Sequence, residues 1–340
     1  MTANPGADES GLENNPPQAG KDWGFWTKQK LQILEDYLQG FATASKTTRD
    51  RIYLDLFAGW PTNVSRETSE PLLGSVHRAL GARPPFTRLC LFELPPKAER
   101  LEAEVRRAYP GRPGIAVYPG NCNETIDQAL QDLWSARFAP TFAFIDQFAA
   151  EVHWTTLEKI SRFRDGRTKA ELWILFATGQ YPRGLNIHGG VINARYGGAV
   201  TAMLGSDQWW DIAVARRDQK LTAAEARAEW VNLMRWRLEN RLGYAVTYPF
   251  TMRNTGGHEI YDMIFATDHP AGDRIMRSVY GTAAARQPSM RRHAQAVRKD
   301  RRKQAQGEEA LFPLTEAMVS APPQSYEPPR VREPYRLPEE

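Results

Sequence analysis

The sequence lacks several features that would place it in a familiar class. It has no apolar run near the ~20 residues that a membrane helix needs, and residues 1–20 have no apolar core like that of a secretory signal. Its two cysteines, Cys90 and Cys122, are too few for a disulfide framework or a cysteine-rich zinc site. We therefore expect a cytoplasmic protein without membrane association.

A metal-ligand spacing of histidines and two common nucleotide-binding motifs are also missing from the sequence. No two of the six histidines stand at metal-ligand spacing, so we expect no metal site. No G-x-G-x-x-G follows the first predicted strand, which disfavours a dinucleotide and hydride chemistry. No G-x-x-x-x-G-K-[ST] occurs either, which disfavours a P-loop nucleotidase.

The positive charge is concentrated in one segment. The net charge is +4, yet residues 286–303 alone contain eight Lys or Arg residues and a single acid, Asp300. The whole tail from residue 284 contributes +3, with eleven bases and eight acids, which leaves +1 for residues 1–283. The high pI is therefore no argument that the folded body binds nucleic acid. The basic segment could bind a phosphate backbone, and a solvated charged helix explains it equally well.

Composition predicts a globular protein with flexible ends. The 41% apolar and 25% charged fractions are ordinary for a folded domain. Residues 1–20 read as a disordered leader, and 21–283 as one α/β domain with a helical insertion over 179–243. Residues 284–340, basic and then rich in proline, read as a flexible tail.

Strand and helix patterns alternate along the domain. Apolar, β-rich runs predict seven strands, at 51–55, 88–93, 115–118, 141–146, 171–177, 244–251 and 259–267. Amphipathic helical patterns lie between the first five, a helix over 26–41 precedes them, and one over 271–280 ends the domain. This order predicts a doubly wound, mostly parallel, Rossmann-like sheet of seven strands. The turn between the last two strands favours an antiparallel edge hairpin.

Polar residues follow four of the predicted parallel strands. Asp55, Glu93, Asn121 and Asp146 would meet at the carboxyl edge of the sheet, where such folds bind ligands. A carboxylate ending the second strand can accept hydrogen bonds from both hydroxyls of a ribose, which makes Glu93 a candidate nucleoside ligand. Purely structural roles are the alternatives. The first strand and its turn can be an ordinary core strand and loop, Glu93 can be a surface glutamate, and polar residues after strands can be helix caps, as Asn123 can.

The Asp55-Leu-Phe-Ala-Gly59 stretch resembles the motif of S-adenosylmethionine-dependent methyltransferases of the Rossmann-like class. Over residues 23–281 the chain resembles, more closely, the three-Cys-motif partner protein family, TcmP. The matching stretches include the residues around Trp26, Lys30 and Tyr37, Gly74-Ser75, Phe92-Glu93, Phe144-Ile-Asp146, GRTKAELW at 166–173, VNLMRW at 231–236 and IFATDHPAGDRIM at 264–276.

The resemblance implies a class I methyltransferase-like fold, an S-adenosylmethionine cofactor and a three-Cys-motif protein as partner. It places Asp55, Phe57, Ala58 and Gly59 at the methionine end of the cofactor. Glu93 would hold the ribose, and Asn121 and Asn123 would lie near the adenine. Asp146 and Phe148 would face the methyl-transfer site, where an aromatic ring can stack a base.

Three positions depart from the methyltransferase pattern. Pro61 stands where a second loop glycine is usual, Asn121 replaces an aspartate, and Gln147 replaces a proline. Two hypotheses therefore stay open. One is an S-adenosylmethionine-dependent methyltransferase of unknown acceptor, for which nucleic acid is a candidate. The other is a non-catalytic scaffold of the same fold that binds a three-Cys-motif protein in a phage-related or defence locus.

Overall fold

The computed structural model describes residues 22–60, 62–65, 71–305 and 325–338. The expected leader over 1–20 and the unusual Pro61 lie outside these ranges. The strands are β1 Asp22–Trp23, β2 Ile52–Asp55, β3 Thr62–Ser65, β4 Pro71–Leu73, β5 Arg88–Glu93, β6 Ile115–Pro119, β7 Thr141–Ile145, β8 Glu171–Phe176, β9 Val246–Arg253 and β10 Glu259–Thr267. The helices are α1 Phe25–Ala44, α2 Ser75–Gly81, α3 Lys97–Ala108, α4 Cys122–Asp132, α5 Trp154–Phe163, α6 Tyr181–Gly184, α7 Ala194–Leu204, α8 Trp209–Arg217, α9 Ala223–Asn240 and α10 Pro270–Ala305.

The central sheet confirms the predicted α/β architecture. Its seven strands run in the order β6-β5-β2-β7-β8-β10-β9. The strands from β6 to β8 are parallel, and β10 runs antiparallel to both β8 and β9. The antiparallel strand is therefore inserted next to the edge, and β9 forms the edge itself. The winding direction reverses between β2 and β7, so the carboxyl ends of β2, β5 and β7 border one crevice.

Burial explains why these runs form a doubly wound sheet. β2, β7 and β8 are buried along their whole length, as strands covered by helices on both faces must be. The predicted first helix is present as α1, and its buried stripe includes Leu34, Tyr37 and Leu38. This stripe covers one face of the sheet beside α10. No helix within the described ranges is long and apolar enough to cross a membrane.

Two short strand segments follow the turn after β2. β3 and β4 pair antiparallel, and β3 pairs with β1 to give a small three-stranded sheet. Strands of two to four residues are too short to produce a clear alternating pattern, so periodicity could not reveal them. β4 of this small sheet leads into α2 through Gly74.

The chain beyond residue 280 differs from the expected flexible tail. The last helix was predicted over 271–280, but α10 continues to Ala305 and contains Pro288. A side-chain hydrogen bond holds the part of α10 beyond residue 280 against β9: Gln287 Nε2 donates to the Thr251 carbonyl at 3.2 Å. Contacts between residues far apart in sequence stabilise this longer helix, and the local hydrophobic pattern of the sequence does not predict such contacts.

Residues 325–338 form an extended strap over α9 and β9. Asn232 pairs with the backbone of Arg332 through two hydrogen bonds of 3.0 and 3.1 Å. Arg235 donates to the Pro329 carbonyl at 2.8 Å, and Tyr326 donates to the Pro249 carbonyl at 2.5 Å. These contacts fasten the strap to the helical region and to the edge strand.

Candidate functional site

The turn after β2 brings Gly59 to the carboxyl edge. Ala58 continues the sheet by donating to the Phe92 carbonyl at 3.0 Å, while Phe57 is half-buried against the core. Gly59 has a φ of +59°, which few residues other than glycine adopt without strain. Its N–H then points across the crevice and donates to Glu93 Oε2 at 2.8 Å. Three residues expected at a cofactor thus shape the turn that meets Glu93.

Glu93 is a half-buried carboxylate held at both oxygens. Gly59 N–H binds Oε2, and the N–H of Leu94 binds Oε1 at 2.9 Å. A carboxylate oxygen has two acceptor sites, so each can accept one more hydrogen bond. The strand end and the glycine turn therefore hold this carboxyl group in place, and these two bonds use one acceptor site on each oxygen.

Asp55 lies behind this turn and is fully buried. Its carboxylate accepts from the Tyr53 hydroxyl at 3.0 Å and from the Phe57 N–H at 3.4 Å. Burial raises the pKa of Asp55 to about 7, the hydrogen bonds oppose that rise, and the nearby charge of Asp146 adds to it. Asp55 therefore anchors the turn and couples electrostatically to Asp146.

Asp146 follows β7 and is bound by Lys30, a residue that the sequence patterns did not single out as functional. Lys30 Nζ lies 2.6 Å from Oδ1 and 2.5 Å from Oδ2 of Asp146. The lysine side chain is 8% exposed and the aspartate side chain 23%. Lys30 stands in line with Leu34 and Leu38 on the buried stripe of α1. A lysine in that stripe needs an anionic partner, so this signal could have marked Lys30, although it does not say which acid Lys30 meets.

Gln147 shapes the loop after β7 in place of the expected proline. It is fully buried, and its Oε1 accepts from the N–H groups of Glu151 and Val152, both at 2.9 Å. Its Nε2 donates to the Leu175 carbonyl at 3.1 Å. The next residue, Phe148, is left 73% exposed. The substitution thus preserves a defined loop and presents an aromatic ring at the crevice.

We expect Gln147→Leu to lower the free energy of unfolding by about 2 kcal/mol, because a buried donor or acceptor left unpaired costs about 1–3 kcal/mol. Urea unfolding followed by far-UV circular dichroism measures the change. Gln128→Leu is the control, since Gln128 is exposed on α4. Equal stability of the two variants would mean that Gln147 does not organise the loop.

Asn121 and Asn123 have structural contacts at the start of α4. The sequence suggested Asn123 as the helix cap, but Asn121 is the cap and accepts from the Asn123 N–H at 3.0 Å. Asn123 instead joins two loops: it donates to the Glu151 carbonyl and accepts from the His153 N–H, both at 2.8 Å. Asn121 remains exposed next to β6, while the Asn123 amide is already occupied.

The structure thus brings several expected residues to the carboxyl edge of the sheet. Glu93 contacts Gly59, Asp55 is coupled to Asp146, and Asn123 braces the loop that carries Phe148. In the described part of the chain, no group of three or more His, Cys, Asp or Glu side chains could hold a metal ion. The crevice therefore offers a carboxylate for hydroxyl groups, an ion-paired aspartate and an exposed ring.

Comparison with known proteins adds little. No family model matches the chain, and no curated protein matches it. A solved structure described as "Conversion of a Disulfide Bond into a Thioacetal Group during Echinomycin Biosynthesis" is similar at 13% identity and a TM-score of 0.29. That match covers 66% of this chain and 78% of the other. A likeness at that level carries no argument about fold or function.

Proposed function

We propose that this protein is an S-adenosylmethionine-dependent methyltransferase. The observation that carries the proposal is the Glu93 carboxylate, fixed at the end of β5 by the Gly59 N–H from the turn after β2. A carboxylate so placed beside a glycine turn suits the two hydroxyls of a ribose. The order of the seven strands, which is that of class I methyltransferase-like sheets, supports the same proposal.

The remaining residues suit the parts of such a reaction. When bound, the cofactor supplies a methyl group on a positively charged sulfur. The Gly59 turn lets its backbone come close to the methionine end, and Glu93 holds the ribose. Asp146 would accept a hydrogen bond from the attacking N–H or O–H of the acceptor, and Phe148 would stack on an aromatic acceptor. Lys30 holds the Asp146 carboxylate in place through their ion pair.

Calorimetric titration with S-adenosylmethionine tests the proposal. We expect micromolar binding, about −8 kcal/mol. Glu93→Ala should weaken it about 100-fold, or 2.7 kcal/mol, because hydrogen bonds to a charged group contribute about 1.5–3 kcal/mol each. Glu99→Ala is the control, since this exposed glutamate lies on α3, six residues away in sequence. No binding by the folded wild-type protein, or equal loss in both variants, would overturn the proposal.

One observation favours a second function. Lys30 binds both oxygens of Asp146, and an ion pair of this kind can have a purely structural role. Asp146 then need not bind a methyl acceptor. The second proposal is a non-catalytic scaffold that binds a three-Cys-motif protein, as the TcmP resemblance implies. It predicts that the protein binds that partner with no bound cofactor and that Glu93→Ala leaves the complex unchanged. Pull-down with the purified partner measures this.

A further inference from the structure

We propose that the projecting half of α10, residues 286–305, is an arm that binds the phosphate backbone of a nucleic acid beside the crevice. We call these residues the basic arm. The inference of phosphate binding depends only on the basic arm. A role of the nucleic acid as methyl acceptor rests, in addition, on the proposed function. Charge, direction and rigidity of the helix carry the inference.

The direction of α10 follows from its first turn. β10 runs antiparallel to β8, with Asp262 opposite Phe176 and Ala266 opposite Leu172, so β10 ends at the amino edge of the parallel strands. α10 begins there: a Cβ on Gly272 would lie only 1.9 Å from Oε1 of Glu171, the first residue of β8. The helix therefore starts at the edge opposite the crevice and runs toward it.

The helix is much longer than the sheet is tall. Its 36 residues span about 54 Å, whereas β7 and β8 have five and six residues and span about 20 Å or less. Gln29 Nε2 lies 3.4 Å from the Ala283 carbonyl, and the neighbouring Lys30 binds Asp146. α10 has thus reached the level of the crevice at Ala283. The basic arm extends about 30 Å farther.

The hairpin of β9 and β10 supports the projecting helix. Gln287 donates to the Thr251 carbonyl at 3.2 Å, and Gln295 donates to the Thr255 carbonyl at 2.6 Å. Ala294 is buried between these contacts. Arg291 lies against the turn, where a Cβ on Gly257 would be 2.8 Å from its Nη1. The arm is therefore held against the hairpin over residues 287–295.

The basic arm has the charge of a phosphate-binding surface. It contains eight Lys or Arg residues and one acid, although the whole chain has a net charge of only +4. Arg292 and Lys299 are exposed, and the buried Nε of Arg291 has no hydrogen-bond partner among the residues that the structure describes. The arm extends beyond the level of the sheet edge at which Phe148 exposes its ring.

The two surfaces suit different parts of one ligand. Cationic side chains bind phosphates whatever the base, while an exposed aromatic ring stacks on an unpaired base. The arm would hold the backbone of a single strand, and Phe148 would receive a base at the crevice. This predicts two separable effects, one that depends strongly on salt and one that does not.

Fluorescence anisotropy with a labelled single-stranded DNA of about 20 nucleotides tests the inference. Arg292→Gln with Lys299→Gln should weaken binding about tenfold at 0.1 M salt, and the slope of log K against log salt should become shallower by about 1.4. Phe148→Ala should weaken binding about tenfold with the slope unchanged. Arg106→Gln with Arg107→Gln, an equal charge change on exposed residues of α3, is the control.

Calorimetry with S-adenosylmethionine on the same proteins separates this inference from the proposed function. Loss of DNA binding in the arm variant with cofactor binding intact supports both. DNA binding that depends on the arm, without cofactor binding, supports the arm and overturns the proposed function. Equal loss in the α3 control, or an unchanged salt slope in the arm variant, would overturn the inference, because general charge would then explain the binding.

Discussion

Replacing Lys30 with methionine is expected to lower the free energy of unfolding by about 3 kcal/mol. Removing one partner of a buried ion pair costs about 3–5 kcal/mol, because the other charge remains without compensation. The lower end applies here, since the Asp146 side chain keeps 23% exposure to water. Methionine fills nearly the same volume beside Phe144, so the loss reports the charge rather than the packing. Chemical denaturation at pH 7 measures it.

Two further variants isolate the pair. Lys30→Arg keeps the charge and should recover most of the stability. The double variant Lys30→Met with Asp146→Asn removes both charges and should be more stable than the single Lys30→Met variant, as in other proteins where buried pairs are neutralised together. A loss below about 1 kcal/mol for Lys30→Met would show that the pair behaves like one on the surface. Lys30 would then have no role in holding Asp146.

The sheet was predictable because its central strands β2, β7 and β8 are buried on both faces. Runs such as Glu171–Phe176 are continuously apolar after their first residue, and turns separate them from amphipathic helices. That alternation permits few topologies, and the right-handed crossover rule places Asp55, Glu93 and Asp146 at one edge. The contact of Gly59 with Glu93 follows from that placement together with the left-handed turn, which the glycine permits.

The contacts that pattern could not predict join residues far apart in sequence. Lys30 meets Asp146 across 116 positions, and Gln147 reaches Leu175 across 28. The sequence alone does not identify the partner of such a polar side chain, because the partner is defined only once helices and strands have packed. The same holds for the strap, where Asn232 binds Arg332 across 100 positions. Local composition there indicated mobility, whereas tertiary hydrogen bonds order it.

Raising the pH from about 4 to 8 is expected to remove about 3 kcal/mol of stability through Glu171 alone. Burial raises the pKa of this fully buried carboxyl to about 7, although hydrogen bonds from Tyr37 and Thr267 oppose the rise. The folded state therefore holds the proton more tightly than the unfolded chain. The stabilisation is complete below the unfolded pKa of about 4.5 and is lost as pH rises through about 7. Each pKa unit corresponds to about 1.4 kcal/mol.

The difference between Glu171→Gln and the wild type measures this contribution, because ion-paired carboxylates elsewhere give slopes of opposite sign that cancel in the difference. Glutamine retains groups for Tyr37 and Thr267, so the variant should gain about 3 kcal/mol relative to the wild type between pH 4 and pH 8. Glu99→Gln, at an exposed position, should show no such gain. A difference that does not vary with pH would mean that Glu171 is charged in the folded protein. Asp55, whose pKa burial also raises to about 7, contributes the same sign of slope, and Asp55→Asn should remove that part.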